Sequence, residues 1–78
     1  MIINKTVHLE KIKTLRKNAK VSLNEMALIL GYESPNGYYY LESGRVKFPA
    51  DKLAIIANHF NVTIDELFFE NRFTELVK

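Results

Sequence analysis

The sequence contains no cysteine and no tryptophan, and only three of its 78 residues are glycine and two are proline. A chain without cysteine has no disulfide framework, no thiolate metal site and no thiol nucleophile. Its uninterrupted apolar stretches fall far short of the roughly 20 residues that a membrane span needs, and residues 1–6 lack the layout of a signal peptide. We therefore expect one small globular domain, located in the cytoplasm, that does not span a membrane.

The sequence also has little excess of either sign of charge, because its net charge is only +2. The charges are distributed unevenly, however. Residues 1–47 carry eight cations and four anions, whereas residues 48–78 carry three cations and five anions. A polyanion such as a nucleic acid would therefore bind the first part of the chain and avoid the second.

Capping residues and glycine divide the first half of the chain into short helical segments, and no segment is typical of a strand. Apolar residues recur at helical spacing in residues 7–18, which predicts an amphipathic first helix. Ser22 and Glu25 have the spacing of a capping box, in which each residue satisfies a free N–H group of the other. They predict a second helix that ends at Gly31.

Three more helical segments follow. Residues 34–42 begin with Ser34, an N-cap residue, and a proline at the first helical position, which predicts a third helix. Pro49 predicts the start of a fourth, largely buried helix that Asn61 would cap. Thr63 and Glu66 form a second capping box and predict a fifth helical segment.

Several motifs occur in one continuous order. They are Leu15-Arg16, Ser22-Leu-Asn-Glu25-Met26-Ala27, Leu30-Gly31-Tyr32, Tyr38-x-x-Leu41-Glu42-x-Gly44, Pro49, Leu53, Ala57 and Phe60-Asn-Val62-x-Ile64-x-Glu66-Leu67-Phe68. This order resembles the phage-repressor, Cro-like (XRE-type) family of helix-turn-helix DNA-binding transcriptional regulators. The resemblance covers about residues 9–69, which is most of the chain.

The resemblance implies an all-α, five-helix, lambda-repressor-like domain in which the second and third helices form the helix-turn-helix. We accordingly divide the chain into a loose N-terminal arm of residues 1–6, a DNA-binding domain of residues 7–69 and a C-terminal extension of residues 70–78. The extension could add a further helical segment. Phe69, Phe73, Leu76 and Val77 would share one stripe of it, which would either pack against the first and fifth helices or, as we favour, form a two-fold dimer interface. A contact with another protein or with a membrane surface is the remaining alternative.

The resemblance also implies which residues have structural roles. Tyr38 and Leu41 would hold the third helix on the core. Arg16 and Glu42 match positions that often form an ion pair between the first helix and the end of the third. We therefore interpret Arg16 as a structural residue and not as a phosphate ligand.

The exposed face of the third helix is the expected site of base reading. By family position Pro35, Asn36 and Tyr40 point at base edges, and Tyr39 also faces outward. The amide of Asn36 can pair bidentately with adenine, an interaction worth about 1–3 kcal/mol of discrimination. Tyr39 and Tyr40 could contact phosphate or a thymine methyl group, or could instead lie in a protein contact.

Phosphate groups are expected to bind backbone N–H groups at the starts of the second and third helices and nearby polar side chains. The candidate residues are Ser22, Leu23, Ser34, Gly37, Ser43, Arg45, Lys47 and Lys17. Leu23 stands where many members of the family have a glutamine that touches phosphate. Pro35 and Gly37 stand where polar base readers are common, and Gly37 costs about 1 kcal/mol of helix propensity.

Other chemistry has little support in the sequence. His8 and His59 lie in different segments without a second ligand at metal spacing, and no glycine-rich phosphate loop is present. We expect no metal, no cofactor and no enzymatic activity. The predicted protein is a bacterial or phage repressor that binds double-stranded DNA as a homodimer and is nucleoid-associated when bound. The alternative is a protein-interaction module on the same fold, such as an antitoxin, anti-repressor or regulatory subunit, whose contact is the Tyr38-Tyr39-Tyr40 run and the Phe-rich tail.

Overall fold

The computed structural model describes the backbone of residues 3–72 and the side chains of residues 6–68. In chain order, its elements are β1 (Ile3–Val7), α1 (Leu9–Asn18), α2 (Leu23–Leu30), α3 (Pro35–Glu42), α4 (Ala50–Phe60), a 3₁₀ helix (Ile64–Leu67) and β2 (Phe68–Arg72). The fold is mostly helical, and α2 and α3 form the helix-turn-helix. Within residues 3–72 no helix has the length and apolar character that crossing a bilayer requires.

Local capping explains where the helices begin and end. The Ser22 hydroxyl accepts from the Glu25 N–H at 3.0 Å, while the Ser22 N–H donates to the Glu25 carboxylate at 2.8 Å, which confirms the first capping box. Gly31, at φ 84°, ends α2 in the left-handed conformation that glycine adopts without a steric penalty. Asn61 ends α4 in the same conformation, as predicted.

One apolar cluster lies between the four helices and the 3₁₀ helix. Its fully buried large side chains are Tyr38, Ile12, Met26, Leu30, Leu41, Ile56 and Leu67. Ala27 is 1% exposed, and its small side chain lies on the face of α2 that packs against the core next to α3. Every helix and the 3₁₀ helix contributes at least one of these residues, so the orientation of α3 depends on the packing of the whole domain.

The fifth helical segment is a single 3₁₀ turn and not an α-helix. The second capping box is present, since the Thr63 N–H donates to Glu66 at 2.9 Å, but only one 3₁₀ turn follows. Phe68 then adopts an extended conformation at φ −123°. Aromatic residues favour strands, and pairing with β1 supplies hydrogen bonds that a longer helix would have made within itself.

Residues 3–6 of the expected loose arm and residues 70–72 of the extension belong instead to two strands of one antiparallel sheet, in which Val7 pairs with Phe68 and Ile3 with Arg72. The rest of the extension, where a further helical segment was possible, lies outside the described residues. β1 crosses the boundary that we expected between the arm and the domain, and β2 crosses the boundary before the extension. Phe69 belongs to β2. Phe73, Leu76 and Val77 lie outside the described residues, so their predicted role in packing or dimerisation stays a prediction.

A buried ion pair joins α1 to the end of α3. The Arg16 guanidinium donates from Nε to Glu42 Oε2 at 2.8 Å and from Nη2 to Glu42 Oε1 at 3.0 Å, and Nη1 donates to the Val21 carbonyl at 3.0 Å. Tyr38 Oη donates to Glu42 Oε2 at 2.6 Å. The side chains of Arg16 and Glu42 are only 11% and 5% exposed. All the principal polar atoms of this cluster are therefore hydrogen-bonded.

The ionisation of the cluster follows from these contacts. Burial acts to raise the pKa of the Glu42 carboxyl, but the hydrogen bonds from Arg16 and Tyr38 outweigh it and the pKa is lowered. The hydrogen bond to Glu42 raises the pKa of Arg16. Burial, together with the hydrogen bond to Glu42, raises the pKa of Tyr38. The stable form thus has a charged pair and a neutral phenol.

A second contact fixes the turn between α2 and α3. A Cβ atom added at Gly37 would lie 2.9 Å from Cγ and Cδ1 of the Tyr32 ring and 3.0 Å from its Cβ. Lys52, on α4, has its ammonium 5.2 Å from the centre of the same ring and donates to the Leu30 carbonyl at 2.7 Å. Lys52 thereby binds the C-terminal end of α2, where a cation is favourable. The glycine in α3 lets Tyr32 pack against the helix.

We predict that Glu42→Gln lowers the free energy of unfolding by about 3–5 kcal/mol at neutral pH, because it leaves a buried guanidinium without its counter-ion. The lowered pKa of Glu42 means that its stabilisation is complete above the ordinary value of 4.5 and is lost as the pH falls through the folded-state value. The difference between wild type and variant in urea unfolding should therefore shrink at acid pH. Glu33→Gln, at an exposed position, is the control and should change little; a difference that is constant down to pH 2 would contradict the assignment.

We also predict that Gly37→Ala destabilises the domain, although alanine in a helix is worth about 1 kcal/mol more than glycine. The Tyr32 atoms in the way are the Cβ and the near part of the ring, which cannot move without shifting the side chain. In a Tyr32→Ala background the ring is absent and only the contact with Cβ at 3.0 Å remains, so the same substitution should destabilise the domain much less. Thermal unfolding of the four proteins measures this double-mutant cycle, and an equal effect of Gly37→Ala in both backgrounds would refute the steric explanation.

Candidate nucleic-acid interface

α3 has one face on the core and one face exposed. Tyr38, Leu41 and Glu42 are buried, whereas Pro35 and Asn36 are exposed and Tyr39 and Tyr40 are 44% and 38% exposed. The structure thus brings all four predicted base-reading residues to one exposed surface. We call Pro35, Asn36, Tyr39 and Tyr40 the reading face.

The guanidinium of Arg45 stacks on one side chain of the reading face. The guanidinium of Arg45 lies 5.1 Å from the centre of the Tyr40 ring, and the Tyr39 and Tyr40 rings are 6.2 Å apart at a tilt of 52°. The Ser43 hydroxyl donates to the Tyr40 carbonyl at 3.3 Å, which leaves its oxygen lone pairs available. A guanidinium stacked on a ring keeps its N–H groups at the edge free for an anion.

Gly37 does not present a site to a ligand, contrary to its place among the phosphate candidates. The direction in which a side chain would leave its Cα points at Tyr32, and its own N–H donates to the Ser34 carbonyl at 3.1 Å. The glycine is explained by the packing of the helix-turn-helix. It has no free N–H group for a phosphate.

The start of α3 offers other donors. Ser34 is the N-cap residue of α3, as predicted, and has an extended backbone, but its side chain makes no capping hydrogen bond. Pro35 has no N–H, and the N–H groups in the first turn of a helix have no partner within it. The Ser34 hydroxyl and the Asn36 N–H are therefore the polar groups that α3 directs toward an approaching anion.

The start of α2 is arranged differently. The Ser22 hydroxyl accepts from Glu25 and can still donate its proton, and the N–H groups of Leu23 and Asn24 precede the first intrahelical bond. The Leu23 side chain is half-buried and packs on the core, so only its backbone can serve a phosphate. Hydrogen bonds from Ser22 lower the pKa of Glu25, which keeps a negative charge at this helix end. That charge opposes an incoming phosphate.

The cations around the helix-turn-helix separate into two groups. Lys17, Arg45 and Lys47 are exposed, so each can reach a solvent-side anion. Arg16 uses Nε, Nη1 and Nη2 on Glu42 and the Val21 carbonyl, and so has no free edge for DNA. The contact of Lys52 with the Leu30 carbonyl was not predicted. The sequence indicates it only weakly, because α2 has no basic residue of its own in its last turn and a cation from elsewhere is favourable there.

Metal chemistry finds no support in the described part of the chain, where no group of three or more His, Cys, Asp or Glu residues could hold an ion. His8 accepts from the Lys11 N–H at 3.3 Å and caps α1, while the His59 ring packs edge-on against Phe60 at 4.9 Å. Both histidines of the sequence therefore have identified structural contacts.

A comparison with known protein families matches the helix-turn-helix family model to residues 12–67. These residues include the buried ion pair, the reading face and the 3₁₀ helix. The chain matches none of the curated proteins and none of the solved structures with which it was compared. The matched family is one of DNA-binding regulatory domains, and the match covers most of the chain. The protein belongs to the XRE-type, phage repressor-like helix-turn-helix family.

Proposed function

We propose that the protein is a sequence-specific transcriptional repressor that inserts α3 into the major groove of double-stranded DNA as a homodimer. The observation that carries this proposal is the geometry of α3, whose inner face is fixed by the Arg16–Glu42 pair while its outer face is exposed. A helix held in this way can present side chains to base edges without rearranging. No cofactor and no catalytic step are needed for this function.

Within the groove, Asn36 would read adenine, because its amide both donates to N7 and accepts from N6. Tyr40 and Tyr39 would lie against the neighbouring base edges and sugar, with Pro35 against an apolar group such as a thymine methyl. The stacking of Arg45 on Tyr40 supports a coupled role, since the cation then reaches the backbone beside the base pair that the ring touches.

Phosphate groups would be held on both sides of the reading face. Ser34 would donate its hydroxyl at the start of α3, and Ser43, Arg45 and Lys47 would contact the backbone after its end. Ser22, the Leu23 N–H and Lys17 would contact the adjacent strand. These contacts fix the position of the protein without reading sequence.

Dimerisation would place two copies of α3 on one side of the DNA, with half-sites about 34 Å apart or at a multiple of that distance. A bound dimer prevents other proteins from using the same site, which is why we propose repression. Such a protein would act in the bacterial cytoplasm, on a bacterial or phage genome.

Asn36→Ala should reduce discrimination between a selected binding site and random duplex DNA, by about 1–3 kcal/mol for the base pair that the amide reads. Binding to random duplex should change much less, because this binding depends on phosphate contacts. The measurement is the affinity of both proteins for the two duplexes, the site having been selected from a random pool. Equal losses on both duplexes would refute the base-reading role.

Lys47→Ala should weaken binding to specific and random duplex alike and reduce the salt dependence of binding by about one unit of slope, because one phosphate contact is lost. Lys52→Ala is a poor control, since it removes the contact with Leu30. Glu33→Ala is suitable because the residue is exposed and anionic. An unchanged salt slope for Lys47→Ala would remove this lysine from the interface.

The alternative proposal is a protein-interaction module. Its expected contact, the Tyr38-Tyr39-Tyr40 run, is reduced by the structure, because Tyr38 is fully buried and bonded to Glu42. Tyr39 and Tyr40 remain exposed and could bind a protein. Titration of random duplex DNA with salt separates the two functions: a DNA-binding protein loses affinity steeply as salt rises, whereas an interaction module binds weakly at every salt concentration.

A further inference from the structure

A pocket lies between the start of α1, the segment that follows α3 and the near end of the sheet. Its volume is about 640 Å³, which falls within the range of roughly 300–1,000 Å³ that is typical of small-molecule sites. Three of its lining residues, Leu41, Phe48 and Leu53, belong to the buried core. The pocket therefore reaches from the surface down to the packed interior of the domain.

The walls of the pocket are apolar and incompletely covered. Val7, Leu9 and Phe68 line it and pack against the core, but each is only partly buried. Val46, which also lines it, is 50% exposed. A hydrocarbon chain that entered the pocket would remove this apolar surface from water, which is favourable in proportion to the area covered. The walls thus suit the apolar part of a ligand.

One charged side chain lines the pocket. Among the lining residues in the described part of the chain, Lys47 alone carries a charge, and none is acidic. Lys47 is exposed, so it lies at the mouth of the pocket, where its ammonium stays hydrated. A few polar groups beside an apolar cavity determine which ligand the cavity accepts and how the ligand is oriented. A single cation at the mouth matches a ligand with an apolar chain and one anionic head.

The segment after α3 serves both the pocket and the proposed DNA contact. It begins at the left-handed Gly44, at φ 83°, and the N–H groups of Arg45 and Val46 both donate to the Tyr40 carbonyl, at 3.0 and 3.2 Å. Within residues 44–48, Arg45 stacks on the Tyr40 ring of the reading face, and the other residues line the pocket. A ligand in the pocket would therefore touch the segment that is proposed to hold phosphate.

We propose that this pocket binds an amphipathic monocarboxylate of the fatty-acid type and that the ligand weakens DNA binding. The hydrocarbon chain lies against the apolar walls, and the carboxylate pairs with the Lys47 ammonium. Ligand carboxylate and DNA phosphate then compete for the same cation, and by linkage each weakens the binding of the other by the same factor. The regulatory effect rests on the proposed function, whereas binding of the ligand does not.

Calorimetric titration of the full chain without DNA measures the site itself. The ligands are hexanoate, octanoate and decanoate, each below its critical micelle concentration. Because every buried methylene contributes a similar free energy, the affinity should rise roughly tenfold with each step of two methylenes. Binding should saturate at one ligand per chain. An affinity that does not depend on chain length, or decanoate binding that does not saturate, would overturn the proposal.

Two substitutions in α4 locate the ligand. Ala50→Phe places a ring at a residue that lines the pocket, and Ala54→Phe places the same ring about one turn further along, at a residue that does not line it. Both alanines are exposed, so neither ring has to enter the core. Ala50→Phe should weaken decanoate binding roughly tenfold or more, because the ring occupies volume that the chain needs, and Ala54→Phe should leave it unchanged. Equal effects of the two substitutions would refute the pocket as the site.

The role of the Lys47 charge is tested by comparing octanoate with octanol, a neutral ligand of the same chain length. Lys47→Ala should weaken octanoate binding roughly two- to fivefold, as expected for an exposed ion pair, and should leave octanol binding unchanged. Lys47→Arg should bind octanoate as the wild type does. Lys17→Ala removes an exposed cation that does not line the pocket and is the matched control. An equal loss for octanoate and octanol in Lys47→Ala would refute the pairing with the carboxylate.

Regulation is measured on random duplex DNA with and without saturating decanoate. The ligand should lower the affinity of the wild type and reduce its salt slope by about one unit, because the contact of Lys47 with phosphate is lost. The salt slope of Lys47→Ala should not respond to the ligand. A protein that binds decanoate but no DNA would refute the proposed function and leave the ligand site intact. A wild type whose DNA affinity ignores saturating decanoate would refute the regulation.

Discussion

The fold depends most on the buried ion pair between Arg16 and Glu42. Burying two charges is costly unless every donor and acceptor is satisfied. Here the Glu42 carboxylate accepts hydrogen bonds from Nε and Nη2 of Arg16 and from the Tyr38 hydroxyl. Nη1 of Arg16 donates to the Val21 carbonyl. The contacts join α1, the residues between α1 and α2, and the end of α3. In the described residues no buried side-chain polar atom lacks a hydrogen bond. The pair therefore fixes one end of α3 at a specific position and orientation.

The other end of α3 is held by shape and not by charge. Tyr32 packs against the backbone at Gly37, and Lys52 binds both the Tyr32 ring and the end of α2. Glycine and three tyrosines give α3 a low intrinsic tendency to be helical, so packing must stabilise it. Glycine and tyrosine weaken α3 in isolation, but they also allow the contacts that hold it in the domain. Gly37 leaves room for the Tyr32 ring, and Tyr38 is buried and donates to Glu42.

Features with local causes could be predicted from the sequence, and features with distant partners could not. The capping box of Ser22 and Glu25 and the left-handed Gly31 depend on neighbours within a few residues, so α2 is predicted well. β1 and β2 are separated by most of the chain, and neither has the alternation that identifies a strand alone, so both were missed. The role of Gly37 was also misread, because Tyr32 reaches it only after the turn has folded.

The candidate site follows the same division. The exposed face of α3 could be inferred, since the buried positions Tyr38 and Leu41 determine which residues face outward. The stacking of Arg45 on Tyr40 and the free hydroxyl of Ser34 depend on how the chain leaves and enters α3, which periodicity does not specify. In the proposed homodimer each copy would bring its own reading face to one half-site. A duplex with two half-sites would hold two copies together by raising their local concentration, so weak association between the copies would suffice for cooperative occupation of both half-sites.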